Sequence, residues 1–481
     1  MSAFSNHLQA LFQRTGLSVY AMSKACGVER TFLHKILNGT RIPASEGVVE
    51  RIADALRLDE DEALLLYRQY QICRDGEEAV ERRGAVARLL TGLSLPSRES
   101  RFVVHRQVDV REIPPVATDR GTVLRLLKLL LEVEVSHPGG HIHLLCTAED
   151  EFLWRLLGMY VDNRPGLPVR QVVCLRSGGT HQALLHNLEM LRQALPLALS
   201  GADYQVVVCY GERSPAPLLP NLLLTSRYAL QFSDDFSCAL LCDDAERVGL
   251  FRTLLERQAR GCHPLVRPMG HPLRLLEHYR QINEPLDAGA QMKCFALGPE
   301  PCLIPFLTGE LLDGHLSPQL RSPETRELIL DYSTQVRRML QRCQVTHYFT
   351  VSGLLRFVET GRLTELPDGC YTPFSSGESR QLLARQLELA EECPGYSPLV
   401  LDNVRLGMPD KIMLETMANG TLSLLYAHPE AGLLAFQLEE PALCNALFDY
   451  LESLRQSRYV TSRERSLAVL RKAAEGEAGE L

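Results

Sequence analysis

The stretch Ser18–Asn38, SVYAMSKACGVERTFLHKILN, decides how this chain begins to fold. Ser18 is suited to cap a short helix over VYAMSKA, because a serine hydroxyl accepts a hydrogen bond from an otherwise unpaired N–H of the first turn. Ala21, Met22 and Ala25 then recur at helical spacing and predict an apolar face. Cys26-Gly27-Val28 predicts a turn, since glycine takes the left-handed backbone needed there without strain. A second helix runs from Glu29 to Asn38 and stops at Gly39, with Phe32, Leu33 and Ile36 available for packing. Arg30, Thr31, His34 and Lys35 fall on its other side and point outward. Two short helices around a glycine turn have the spacing of a helix-turn-helix.

Outward from this stretch, the neighbouring segments complete a small all-α unit over residues 1–71. FSNHLQALFQRT reads as an amphipathic first helix broken by Gly16. Ser45 precedes EGVVERIADAL, where Val48, Ile52, Ala55 and Leu56 follow the helical period, and Asp59 opens a fifth helix with acidic residues in its first turn. LSVYAMSKACGVERTFLHKILNGTRIP, followed by a VxRIADAL helix, resembles the lambda-repressor-like, or XRE-type, helix-turn-helix domain. The resemblance implies double-stranded DNA as a partner and a role in transcription regulation. It places Arg30, Thr31 and Lys35, with His34 beside them, at base edges, and Glu29, Asn38 and Arg41 near phosphates, Glu29 through its backbone N–H alone.

Two positions depart from the family. An Arg in the first helix often pairs there with a Glu late in the recognition helix, and here Phe12 and Leu37 take those places. An apolar pair removes the desolvation penalty of the ion pair, so the fold survives the exchange. Val19 stands where a phosphate-contacting Gln is common, which implies lower affinity without a change in the bases read.

At 481 residues the chain is too long for one core. A net charge of -8 excludes a chain that coats nucleic acid along its length, so DNA contact must be local to one module. That module is itself close to neutral, which implies either a dimer adding two weak half-site contacts or a reduced affinity. Fourteen cysteines without a signal-peptide pattern read as reduced cytoplasmic thiols, and no uncharged run is long enough to span a membrane.

Residues 72–101 hold one charged helix and a polar, Pro-containing stretch, read as a linker or, equally, as a sixth helix on the helical domain. From residue 102 strand and helix signals alternate, beginning with FVVHRQVDVREI, and predict an α/β region. Three short strands and a long helix, NLLLTS to AERVGLFRTLLERQA, recur as DKIMLETM to EPALCNALFDYLESLRQS. The expected organisation is multidomain: the all-α domain, a linker at 72–101, two related α/β halves at 102–289 and 290–460, and a polar tail at 461–481. Two such halves resemble a phospholipase D-like arrangement that also serves as a non-catalytic sensing domain. The catalytic HxK motif of that family is absent.

Chemistry-bearing patterns are sparse. Arg176-Ser177-Gly178-Gly179-Thr180, between a strand and a helix, could present backbone N–H groups and an Arg to an anion. His141 and His143 share a strand face near His137 but lack further metal ligands, and Cys238 and Cys242 read as a buried strand. Gly377-Glu378-Ser379-Arg380 reads as a solvated helix start. The sequence therefore predicts no catalytic residues, metal or cofactor, and a sequence-specific, dimeric DNA-binding regulator whose α/β region oligomerises or takes a small-molecule effector. The alternatives are a protein-interaction scaffold with a degenerate helix-turn-helix, or an enzyme for a small anionic substrate.

Overall fold

The computed structural model describes residues 2–93, 114–147, 150–164, 166–211, 219–270, 276–277, 292–477 and 479. The strand expected at 102–113 lies outside them. Five helices build the N-terminal domain: α1 Ala3–Thr15, α2 Val19–Cys26, α3 Arg30–Leu37, α4 Glu46–Leu56 and α5 Glu60–Asp75. Their core holds Leu8, Met22, Leu33, Ile36, Ile52 and Tyr70. Leu37 is buried in it and Phe12 packs against it partly buried, so the apolar substitutes for the family's ion pair share one core.

Two faces are rotated by about one position from expectation. Ala25 is exposed and Cys26 takes the buried place on α2. On α4, Val49 and Ala53 are buried where Val48 and Ala55 were expected, because apolar residues come there in adjacent pairs and either neighbour satisfies the period.

The stretch expected as a linker carries helix α6, Glu77–Thr91, and this helix is structural. Its Ala85, Val86, Leu89 and Leu90 are buried in the largest core, where they pack with the α/β region. Arg83 on its polar side donates to Asp449 at 3.0 Å.

The first half of the α/β region follows as β1 Val116–Ala117, α7 Arg120–Ser136, β2 Ile142–Cys146, α8 Glu151–Asn163, β3 Val169–Leu175, α9 His181–Ala198 and β4 Tyr204–Tyr210. It closes with β5 Asn221–Leu224, β6 Ala229–Phe232, β7 Ala239–Cys242, α10 Ala245–Ala259 and β8 His263–Pro264. The second half has β9 Val266–Pro268, β10 Lys293–Leu297, α11 Gly309–His315, α12 Pro323–Arg342, β11 Gln344–Phe349, α13 Val351–Thr360, α14 Ser376–Glu392 and β12 Tyr396–Val400. After the short α15 Asn403–Leu406 come β13 Ile412–Met417, β14 Leu422–His428, β15 Gly432–Leu438, α16 Pro441–Leu454 and α17 Arg463–Glu475.

The two sheets repeat one plan. The first runs β1-β7-β6-β5-β2-β3-β4-β8 and the second β12-β11-β10-β13-β14-β15-β9. In each, a parallel trio is joined antiparallel to a three-stranded meander, and a short strand from before the trio closes the meander edge. Even the far edges agree: β8 pairs antiparallel with β4, and Val460 bridges Leu401 just beyond β12. Two related α/β halves behind a helix-turn-helix domain are thus the architecture. Their facing sides share one core containing Val173, Leu191, Tyr348 and Leu447.

The expected polar tail is also structural. In α17, Leu467, Leu470 and Ala473 are buried in the second half, and Ser466 Oγ accepts from Val400 N at 3.0 Å. Cys238 and Cys242 are only partly buried, and of the two only Cys242 lies within a strand, β7.

Candidate nucleic-acid interface

The α2–α3 unit is assembled by local chemistry. Ser18 Oγ accepts from Ala21 N at 3.1 Å and starts α2. Gly27, at φ +64°, ends it in the left-handed region and turns the chain. Ser23 Oγ donates to Val28 O at 2.6 Å, and Arg51 of α4 donates through Nε to Cys26 O at 3.0 Å, so the turn is held from both sides. Helix α3 ends at Asn38, with Gly39 next at φ +71°. Lys35 O then accepts from Thr40 N and Arg41 N at 3.0 and 3.2 Å, which fixes the loop carrying Arg41.

With Leu33 and Ile36 buried, Arg30, Thr31, His34 and Lys35 are exposed along the other side of α3. Glu29 is the N-cap residue but makes no side-chain cap hydrogen bond. Asn38 Nδ2 lies 3.1 Å from His34 Nδ1, so these two side chains are pre-positioned against each other. Arg41 is exposed beyond the end of the helix. All seven residues expected at DNA therefore sit on α3 or at its two ends, and all are exposed in the full chain.

Tyr20 and Lys24 on α2 were not expected at this face. Tyr20 is 56% exposed, unusual for so large a side chain, and Lys24 Nζ lies 5.1 Å from its ring centroid. Their spacing of four residues on a helix was the available signal.

Charge in the domain is segregated, although its total is neutral. Residues 1–45 hold Arg14, Lys24, Arg30, Lys35 and Arg41 against Glu29 alone, and the acidic residues concentrate in α4 and the start of α5. That acidic side docks on the rest of the chain. Glu46 is 2% exposed and accepts from Arg458 N at 3.0 Å and Gln71 Nε2 at 2.8 Å. Glu50 pairs with Arg405 at 3.1 Å, and the Arg458 guanidinium lies 4.4 Å from the Tyr67 ring centroid. Docking through α4 and α5 leaves α3 facing away.

The loop Arg176–Thr180 is shaped as a helix start. Asn187 Oδ1 accepts from Arg176 N at 2.8 Å and its Nδ2 donates to Arg176 O at 3.1 Å, while Thr180 Oγ1 accepts from Ala183 N to cap α9. Ser177, Gly178 and Gly179 are exposed. His141 and His143 form an edge-on ring pair at 5.4 Å, and burial, with His141 adding to it, pulls the His143 pKa down. Among the described residues no group of three or more His, Cys, Asp or Glu is placed to hold a metal ion. Glu378 closes a capping box with Ser375 and lies 3.1 Å from His315, so this helix start is not merely solvated.

Sequence reasoning also missed a cavity of about 140 Å³ in the second half, lined mainly by apolar residues together with His347, Glu300, Glu365 and Glu415. Burial, reinforced by Glu300 and Glu415, pushes the Glu365 carboxyl up to about 8, and burial brings His347 down to about 4. Both are thus neutral at neutral pH.

Residues 3–66 match the family model described as a helix-turn-helix domain, and the N-terminal unit is such a domain. No curated protein matches the chain. Among solved structures it is similar to a phosphatidylserine synthase of Haemophilus influenzae Rd KW20, with 11% identity, a TM-score of 0.24, and 84% of this chain and 99% of that chain covered. Likeness at that level says nothing about activity. Among the described residues no helix is long and apolar enough to cross a membrane.

Proposed function

We propose that this protein is a sequence-specific DNA-binding transcriptional regulator, in which α3 reads base edges in the major groove and the duplicated α/β region is the sensing and dimerising part. The observation that carries the reading is the outward, undocked placement of Arg30, Thr31, His34 and Lys35 on the second helix of a helix-turn-helix domain. Arg30 and Lys35 supply base-edge contacts, and Lys24 and Arg41 lie where phosphate contacts fix the register. One copy offers few cations, so stable occupancy takes two copies spaced one helical turn of DNA apart.

Changing Arg30 and Lys35 together to Ala should remove about 1–3 kcal/mol of discrimination per lost base contact, with thermal stability unchanged because both side chains are exposed. Selection of bound sites from a random DNA pool, done with both proteins, reads this out. An unchanged site preference would remove the DNA-reading hypothesis. Sedimentation of the same protein should give a dimer, and the recovered sites should show two-fold symmetry.

An enzyme acting on a small anionic substrate is the weaker reading. The cavity of about 140 Å³ is lined mainly by apolar residues, and no lysine or arginine among its described lining residues is placed to hold an anion.

A further inference from the structure

A cavity of about 850 Å³ lies where the helical domain, α6, α9 and the end of α16 meet. That volume suits a small-molecule ligand. Five arginines line it: Arg68 and Arg74 from α5, Arg83 and Arg88 from α6, and Arg458 beyond α16. The lining acids are Glu46 and Glu81, and both are already engaged, Glu46 by Arg458 N and Gln71, Glu81 by His181 at 2.8 Å.

The arginines are only partly matched. Arg74 pairs with Asp75 at 2.7 Å and Arg83 with Asp449 at 3.0 Å. Among the described residues Arg68 and Arg88 have no salt-bridge partner, and Arg74 Nη1 is buried without a hydrogen-bond acceptor. Arg74 is committed to Asp75 through Nε and Nη2, whereas Arg68 and Arg88 are exposed, with Glu189 the carboxylate that Arg88 acts on, and five arginines against two engaged acids keep the lining positive. Tyr67, Tyr450, Leu185 and Leu454 supply an apolar wall next to this charge.

We infer that this cavity binds a small organic anion of the phosphate-ester class, whose phosphate takes the Arg68 and Arg88 guanidinium groups while its body lies on the tyrosine and leucine wall. Guanidinium forks match phosphate oxygens two at a time, which distinguishes such a site from a general basic surface. A ligand here touches the helical domain and both α/β halves at once, through α5, α9 and α16. Bound ligand therefore stiffens the docking of the helical domain, and through it the spacing of two α3 helices in a dimer, a consequence that rests on the DNA-binding reading above.

The test uses the full chain and inorganic pyrophosphate as the probe, at constant ionic strength, with DNA absent. Pyrophosphate should raise the melting temperature saturably, and Arg68→Gln/Arg88→Gln should weaken its apparent affinity about tenfold while leaving the ligand-free melting temperature in place. A saturable response of equal affinity in wild type and variant, no saturable response in wild type, or saturation by citrate but not by pyrophosphate would each overturn the assignment. Operator affinity is then measured with and without pyrophosphate. A protein that takes pyrophosphate in this way but binds no DNA retains the site and loses the regulator reading.

Discussion

On the α2–α3 side of the helical domain, Lys24, Arg30 and Lys35 stand in solvent, whereas on the α4–α5 side Glu46 and Glu50 meet partners 412 and 355 positions away. One small domain thus keeps cations unspent on one face and settles anions inside the protein on the other. Its neutral total hides this division. Net charge over a domain is therefore a poor gauge of whether it can approach a polyanion, because the field at a phosphate depends on the nearest side chains and falls off within about 8–10 Å at ordinary salt.

Substitutions on the two faces should separate cleanly, and the largest effect belongs to the docking face. Glu46→Ala removes the acceptor of a charge-assisted bond from Gln71 and of the Arg458 N–H, and leaves Arg74 without its neighbour at 3.9 Å. We expect a loss of about 3 kcal/mol in urea unfolding of the full chain. A loss below 1 kcal/mol would mean that the docking face is not held by this carboxylate.

A smaller effect is expected in the α2–α3 unit. An added Cβ at Gly27 meets nothing within 4 Å, so Gly27→Ala carries only the left-handed backbone penalty, about 1–2 kcal/mol. Thermal unfolding measures it, and a much larger loss would reveal packing at the turn. The smallest effect is at Arg405, whose pair with Glu50 is exposed. Arg405→Ala should cost about 0.2–1 kcal/mol and vary with salt, and comparing unfolding at 50 mM and 1 M salt decides it: a large, salt-independent loss would make this rim contact as important as Glu46.

The same contrast explains what could be read from the amino acids alone. Ser18, Gly27 and Gly39 act on their own neighbours, so α2, the turn and α3 were legible, and with them the exposed row Arg30, Thr31, His34 and Lys35. The repeated order of strands and helices was legible because each element carries its own periodicity. Glu46 was not, since a glutamate in a helix's first turn reads as a dipole partner and nothing nearby announces Arg458. Helix α6 was half legible: Glu77 and Glu78 look solvated, and Arg83 is tied down by the nearby Asp75 and by the distant Asp449, which nothing in the local sequence announces. In α17, Leu467 and Leu470 carried a short period that the surrounding charges masked. The arginine-lined cavity had no signal at all, because its walls come from five stretches of chain, around residues 46, 64–88, 182–185, 406 and 450–459.

The 412-position span between Glu46 and Arg458 also sets an order of events as the chain is made. The helical domain leaves the ribosome ahead of the α/β region, and with its own core and local caps it can fold at once. The surface it docks on is finished only when α16 and Arg458 have emerged. The edge strand Val266–Pro268 waits in the same way for its partner β15. Until then α3 sits on an untethered domain, and the nascent polypeptide presents Arg30 and Lys35 before the surface that docks the opposite face exists.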